Sequence, residues 1–314
     1  MANVIGIDVG GQSSKLGVVN DKGEILAQCV VSSLQDSLSD YLNDLTGAIR
    51  GLMSKAQVKG IGIGAPNANY YNGTIEFAPN LRWTYVDGKP TVVEFARLIS
   101  ERTGLPVTLT NDANAAAMGE MAYGVAKGMK NFIMLTLGTG VGSGIVIDGR
   151  MVYGHDGFAG ELGHVCAVPG GRKCNCGLDG CLETYCSAIG VARTAREMLA
   201  GDSRNSLLRQ LESPAISSKD VYDAAKQGDA IALEIFQYTG QLLGRALADF
   251  VKFSAPEAII LFGGLTKSKE FFHEAMEKSM NASLLKIWQN KVKILYSSLK
   301  ESDAAILGAS ALAW

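Results

Sequence analysis

The chain spells out one structural unit twice. Residues 4–8 and 15–19 are short β-rich runs joined by a Gly-Gly turn, and residues 20–23, "NDKG", turn into a third run over 24–31. Far downstream, "FIMLTLGTGVGSGIVIDGRMVYG" (residues 132–154) has the same layout: apolar strand, glycine-rich turn, apolar strand, Asp-Gly turn, third strand. In this alignment Asp8 falls opposite Thr136 and Gly10 opposite Gly138. A glycine turn between two strands is common by itself. Matching the turn, the next strand and the second hairpin together reads as an internal duplication.

Between the copies the pattern predicts a helix over 39–56, a strand over 58–66, a helix over 92–103 and a strand over 106–112, the alternation of an α/β lobe. The second half is richer in helix. Residues 188–199, 218–227 and 230–253 are helical in pattern, the last run stopped by Pro256 and followed by the strand "AIILFGGL". An Ala-rich helix over 304–314 closes the chain. A chain of 314 residues is long for a single core, and it contains no Pro/Ser linker. Two lobes joined through hinge segments are expected, with one hinge over 112–120.

Composition removes several function classes. Charged residues are 19% of the chain and the net charge is -2, so no basic field nominates nucleic acid or a membrane surface. No apolar stretch approaches the ~18 residues a membrane helix requires. The apolar run at the N-terminus is broken by Asp8 before it forms a signal-peptide core, so a cytoplasmic protein is expected. Thiols are kept reduced in that compartment, which turns clustered cysteines toward metal binding or redox chemistry.

Glycine-rich turns expose several backbone N–H groups and make anion cradles. "DVGGQSSK" and "LGTGVGSG" are each followed by a strand, so neither is a P-loop or a dinucleotide fingerprint, both of which need a helix there. Either turn alone is most simply a tight hairpin. Two in related positions point to phosphate. Asp8 ends its strand just before the first turn, where a carboxylate near bound phosphates implies an intervening Mg²⁺. Gly263 and Gly264, after "IILF", either end a buried strand or let a flat base or ribose approach the backbone.

"TNDANAAAMGE" (residues 110–120) places Asn111 and Asp112 where a strand gives way to an Ala-rich helix. On this stretch alone Asp112 reads as a helix cap. In a phosphate-binding cleft the same carboxylate gains a second reading, because a sugar hydroxyl needs a base to take its proton as it attacks ATP.

"GELGHVCAVPGGRKCNCGLDGCLE" offers His164, Cys174, Cys176 and Cys181, a Cys₃His set that suits tetrahedral Zn²⁺ and leaves no coordination position for catalysis. Its spacing is not the C-x-x-C of thioredoxins, and a disulfide between Cys174 and Cys176 would close an awkwardly tight loop. A structural zinc is expected, with Cys29, Cys166 and Cys186 as bystanders. Such a metal pins the loop that carries Glu161, His164 and Glu183.

In order, "DVGGQSSK", "NDANAAAMGE", "LGTGVGSGIVIDGRMVYGHDGFAGELGH", "CNCGLDGCLE" and "LFGGL" resemble the ROK sugar kinases of the actin-like ATPase superfamily, across nearly the whole chain. The resemblance implies a two-lobed actin-like ATPase (ribonuclease H-like) α/β fold, with duplicated β-meander/helix lobes and a cleft between them. The lobes expected are residues 1–112, completed by the C-terminal helix 303–314, and residues 113–302 with the zinc loop. It implies ATP-dependent phosphorylation of a hexose on its 6-hydroxyl, a structural zinc, and a homodimer or higher homo-oligomer.

Carried over, Asp112 is the general base, and Asn111, Glu161, His164 and Glu183 are sugar ligands, with Asn80 and Asn67 as further contacts. Asp8, Gly10 and Gly11, with Gln12, Ser13 and Lys15 alongside, serve Mg²⁺ and phosphate. Gly138, Thr139 and Gly140 serve the phosphates, and Gly263 and Gly264 the adenosine side. The chain departs from the family pattern twice: Gln12 stands where Thr is usual, so that Ser13 or Ser14 would supply the hydroxyl, and Asn67 stands where Gly is usual.

Relatives of this family include repressors with a helix-turn-helix module ahead of the same core. The first phosphate strand here begins by Val4, so that module is not expected, and no nucleic-acid partner is expected either. Glucose is the expected substrate. N-acetylmannosamine, N-acetylglucosamine, mannose or fructose is the alternative, and a non-catalytic sugar sensor ranks below these.

Overall fold

The computed structural model describes residues 3–314. Its strands are β1 (Asn3–Val9), β2 (Ser13–Val19), β3 (Ile25–Ser32), β4 (Val58–Ala65), β5 (Ala68–Asn69), β6 (Thr74–Glu76), β7 (Tyr85–Val86), β8 (Lys89–Pro90), β9 (Val92–Val93), β10 (Val107–Asn111), β11 (Phe132–Leu137), β12 (Val141–Ile147), β13 (Arg150–Met151), β14 (Ala258–Phe262) and β15 (Lys293–Tyr296). Its helices are α1 (Leu38–Met53), α2 (Phe95–Thr103), α3 (Asp112–Tyr123), α4 (Glu183–Cys186), α5 (Ala188–Gly201), α6 (Ser218–Lys226), α7 (Ala230–Ser254), α8 (Lys269–Ser283) and α9 (Glu301–Ser310). No helix among the described residues is long and apolar enough to cross a membrane.

The duplication is visible in the sheets. One has the order β10-β4-β1-β2-β3 and the other, in mirrored listing, β13-β12-β11-β14-β15. Each β-meander therefore extends on its first strand into parallel pairing: β1 with β4 and β4 with β10, β11 with β14 and β14 with β15. Parallel strands buried on both faces read as unbroken apolar runs, as Ile5, Ile7, Ile61 and Ile63 do in the first sheet and Ile133, Leu135, Ile259 and Leu261 in the second.

Contacts divide the chain into two compact units. One holds the described residues from Asn3 to Met129 together with Gly144–Gly160 and Ser297–Trp314, and the other holds Lys130–Ser143 and Glu161–Tyr296. This contact division follows Met129 rather than Asp112, and residues 112–120, where a hinge is expected from the sequence, form no break in the chain's secondary structure. They lie in the continuous helix α3, which belongs to the first unit and packs on α9. The physical reason is small side chains on the facing surfaces: a Cβ on Gly119 would meet the Cα of Gly308 at 2.8 Å. On its other side α9 lies against β1 and β4, where a Cβ on Gly6 or Gly62 would strike the carbonyls of Ile306 and Ala309. Apolar periodicity shows that α9 is buried but not which sheet it covers.

Most element boundaries differ from the sequence pattern by a few residues, α1 for example ending at Met53 rather than at residue 56. Val92 and Val93 pair with β6, so α2 starts only at Phe95, and residues 311–313 tighten into a 3₁₀ turn after α9. The unforeseen helix α8 buries Phe272, Met276 and Met280, spaced by four, and packs along α7.

Candidate functional site

In the first unit the sheet register builds an acidic pair. Asp8 on β1 lies beside Gly64 on β4, which lies beside Thr110 on β10, and Asn111 and Asp112 follow at once. Gly64 has no side chain to fill the space between, and two strand spacings separate the outer positions by about 10 Å. Burial first, then the Asp112 carboxylate, raises the pKa of Asp8 to about 6, while Lys15 opposes the shift. Lys15 is the direct cross-strand neighbour of Asp8.

Asn111, not Asp112, is the cap of α3: its side chain accepts from the Ala113 N–H at 2.9 Å, leaving its amide group as a donor. Asp112 accepts from the same N–H at 2.8 Å. Water reaches the Asp112 side chain, yet the protein mass around it raises its pKa above the ordinary carboxylate range. A carboxylate whose pKa is raised by partial desolvation is a better proton acceptor when it is ionised.

The first glycine turn is closed by the Gly10 N–H donating to Ser13 at 3.1 Å. Gln12 is exposed there, and Ser13 is half-buried. Ser14 is not an available hydroxyl, since it is buried and bonded to Ser33 at 2.8 Å and Tyr41 at 2.6 Å. Asn80 lies beside this turn, its carbonyl 2.9 Å from where a Cβ on Gly11 would sit.

The departure at Asn67 has a backbone reason. Its φ is 51°, a left-handed conformation that Gly adopts most readily and Asn tolerates. Its side chain donates to the Glu76 carbonyl at 3.0 Å, so the amide is engaged in holding its own loop.

The second unit repeats the turn, with the Gly138 N–H donating to Gly140 at 3.0 Å and Thr139 exposed at its tip. A Cβ on Gly140 would run into the Glu183 carboxylate, which accepts from the Val141 N–H at 3.1 Å. Glu183 is therefore placed against the phosphate-type turn as well as beside the cysteine loop, where Cys174 donates to it at 3.6 Å. Gly263 and Gly264 follow β14, and a Cβ on Gly263 would meet the Leu137 carbonyl at 2.6 Å, so the ends of β11 and β14 come together.

The cysteine loop gathers four donors. The ligand atoms of His164, Cys174, Cys176 and Cys181 all lie within 4.8 Å of one another. Cys176 and Cys181 sulfurs are 3.6 Å apart, and Cys174 Sγ is 3.7 Å from His164 Nδ1. Tetrahedral zinc with ordinary Zn–S and Zn–N bonds needs edges of about 3.6–3.8 Å, which these two edges match, so the donor set is compatible with that ion. His164 Nε2 faces the other way, 4.0 Å from Glu161. Cys186 is fully buried, and burial pushes its thiol up to about 12, which suits an inert core residue.

Two polar side chains that no motif singles out support these loops. Arg172 is 7% exposed; its guanidinium donates to the carbonyls of Thr184 and Gly190, pairs with Glu197 at 2.6 Å and covers the Tyr185 ring at 4.2 Å. It ties the cysteine loop to the turn that carries Glu183. Asn69, in the first unit, is 2% exposed and bonds across 87 residues to Asp156. The only sequence signal for Asn69 is its place in the turn-rich "NANYYNG".

The ROK family model matches residues 4–314. A glucokinase of Halalkalibacterium halodurans is 34% identical over 313 residues, covering 97% of this chain and 92% of the relative. A glucokinase of Thermotoga maritima is 34% identical over 313 residues, covering 98% and 96%. A solved ROK family glucokinase from Streptomyces griseus, in complex with glucose and AMPPNP, superposes with a TM-score of 0.80 at 32% identity, and the alignment covers 99% of both chains. The actin-like α/β fold that the motifs implied is the fold of this chain, and the chain belongs to the ROK family.

Proposed function

We propose that this chain transfers the γ-phosphoryl group of ATP to the 6-hydroxyl of glucose. The observation that carries the reading is the Asp8/Asp112 pair: Asp8 is the register neighbour of Gly64, and Asp112, at the start of α3 just past β10, has its Cα 3.6 Å from where a Cβ on Gly64 would sit. Relatives named glucokinases over nearly the full chain, and a solved relative holding glucose with an ATP analogue, support ATP and glucose as the substrates.

In this reading Asp112 orients the 6-hydroxyl and accepts its proton as the oxygen attacks. The Asn111 amide, Glu161, Glu183 and His164 Nε2 hold the other hydroxyls and so fix the attacking oxygen relative to the base. The backbone N–H groups of the turns at Gly10–Gly11 and Gly138–Gly140 receive phosphate oxygens. Asp8, the residue at the first of those turns with a carboxylate, would hold Mg²⁺, which when bound neutralises charge on the phosphates. His164, Cys174, Cys176 and Cys181 would hold one structural zinc, whose positive charge would favour the thiolate forms; without it, burial and the neighbouring thiols push the Cys181 thiol up to about 12.

The decisive experiment is ADP release with Mg-ATP across glucose, mannose, fructose, N-acetylglucosamine and N-acetylmannosamine. Highest kcat/KM on glucose is expected. Preference for an N-acetylhexosamine would overturn the substrate, and silence on every sugar with binding retained would overturn the kinase.

Asp8 gives the site a pH dependence. With its pKa at about 6, Asp8 is ionised at pH 8 and increasingly protonated below pH 6, where the proton competes with the cation. The KM for Mg-ATP is therefore expected to rise by up to about tenfold per pH unit below that point, and to lose this dependence in Asp8→Asn. A KM that stays flat from pH 7.5 to 5 in the unsubstituted enzyme would contradict it.

A further inference from the structure

We infer that Asn69 is a positioning residue for Glu161, fixing from the hairpin side the loop that delivers that carboxylate. The inference rests on the reading of Glu161 as a sugar ligand. Asn69 ends β5 and is 2% exposed. Its Oδ1 accepts from the N–H groups of Tyr71 at 3.0 Å and Asn72 at 3.3 Å, which sets the hairpin turn. Its Nδ2 donates to the Asp156 carbonyl at 2.8 Å, which reaches out of the hairpin to a loop distant in sequence.

Three further contacts hold the same loop. The Tyr71 hydroxyl donates to the Gly154 carbonyl at 2.8 Å. The Tyr70 ring stacks on Tyr153 at 4.0 Å between centroids, 5° from parallel. Gly157 has φ of 93°, and a Cβ there would stand 2.5 Å from Asn69 Oδ1, so the backbone comes against the buried amide where only glycine fits. The loop also closes on itself, Ala159 N–H donating to Tyr153 at 3.1 Å.

Between the clamped Gly157 and Glu161 lie only Phe158, Ala159 and Gly160, and on the far side of Glu161 the chain soon reaches His164 in the four-donor cluster. Glu161 thus follows the clamped Gly157 by four residues of chain. Asn69 supplies that clamp, and simple packing does not call for it: an apolar side chain would fill the space, whereas a buried amide is retained where its donor and acceptor must meet specified backbone groups. Without it the Asp156 carbonyl and the N–H groups of Tyr71 and Asn72 lose this partner, and the stretch leading to Glu161 gains freedom.

The test is a kinetic double-mutant cycle of Asn69→Ala and Glu161→Gln, with KM for glucose, KM for ATP, kcat, zinc content and melting temperature recorded for all four proteins. Asn69→Ala is expected to raise the KM for glucose about tenfold, the scale of supporting-residue effects, with the KM for ATP within about twofold and zinc content unchanged. In the Glu161→Gln background the same substitution should add almost nothing. Independent, multiplicative effects of the two substitutions would overturn the inference, as would equal shifts in both KM values. If Glu161→Gln leaves the KM for glucose unchanged, the sugar-ligand reading of Glu161 fails and the inference with it, a pattern distinct from multiplicative effects. Asn69→Asp is the second variant: it keeps the acceptor for Tyr71 and Asn72 and turns the donor facing Asp156 into an oxygen that repels that carbonyl, so it should raise the KM for glucose at least as much while the KM for ATP stays within about twofold.

Discussion

Asp112→Asn is expected to lower kcat by roughly a thousandfold, within the usual range for loss of a general base, while the dissociation constant for glucose stays within a few-fold. The amide keeps the shape, and it keeps the oxygen that accepts from the Ala113 N–H. It cannot take the proton of the sugar hydroxyl. Because partial desolvation raises the pKa of this carboxylate, the unsubstituted enzyme should lose kcat on the acid side at a pH above that of an ordinary aspartate, since the protonated form is inactive as a base. Steady-state kinetics beside calorimetric glucose binding separates the two effects. Near-normal turnover in the variant would remove Asp112 from the chemistry.

The second large effect concerns the cysteine loop. Cys181→Ser, or removal of metal by a chelator, is expected to lower zinc from about one equivalent toward zero, to lower the melting temperature, and to raise the KM for glucose more than tenfold, roughly as loss of ligand support does elsewhere. The KM for ATP should change much less. The asymmetry follows from placement: His164 is a donor of the cluster and faces Glu161 with its other nitrogen, and Cys174 touches Glu183. Arg172 holds the neighbouring turn through Thr184 and Gly190 without using the metal, so the unit should remain folded while the loop loosens. Metal-free protein with full affinity for glucose would show that the cluster does not organise the sugar ligands.

Much of this site is legible in the amino-acid sequence. The Cys₃His set can be read because its donors lie within a short stretch, where spacing limits geometry. The glycine turns can be read because a turn between two apolar strands is a local backbone event. Asn67 shows the limit of that kind of reading. As a departure from the family pattern it suggests a new sugar contact, but the left-handed backbone there explains why Asn replaces Gly, and its amide serves Glu76. Ser14 is similar: adjacent to the turn in sequence, it points the opposite way along an alternating strand and ends buried against Ser33 and Tyr41. Asp112 reads most simply as a cap from its own stretch, whereas the cap of α3 is its neighbour Asn111.

By itself the sequence determined the duplicated meander, the α/β alternation and the four metal-type donors, because each is written in local periodicity, turn chemistry or short spacing. Only the tertiary structure decided which distant residues become neighbours. Asp8 meets the field of Asp112 because β4 lies between β1 and β10, the strand that leads into Asp112, with a bare glycine beside Asp8. The C-terminal helix joins the first unit because small residues let it approach α3, β1 and β4 closely. Asn69 reaches Asp156 because a hairpin and a loop far apart in the chain share one buried contact. Strand register and close packing are properties of pairs of segments, and no single segment's pattern contains them.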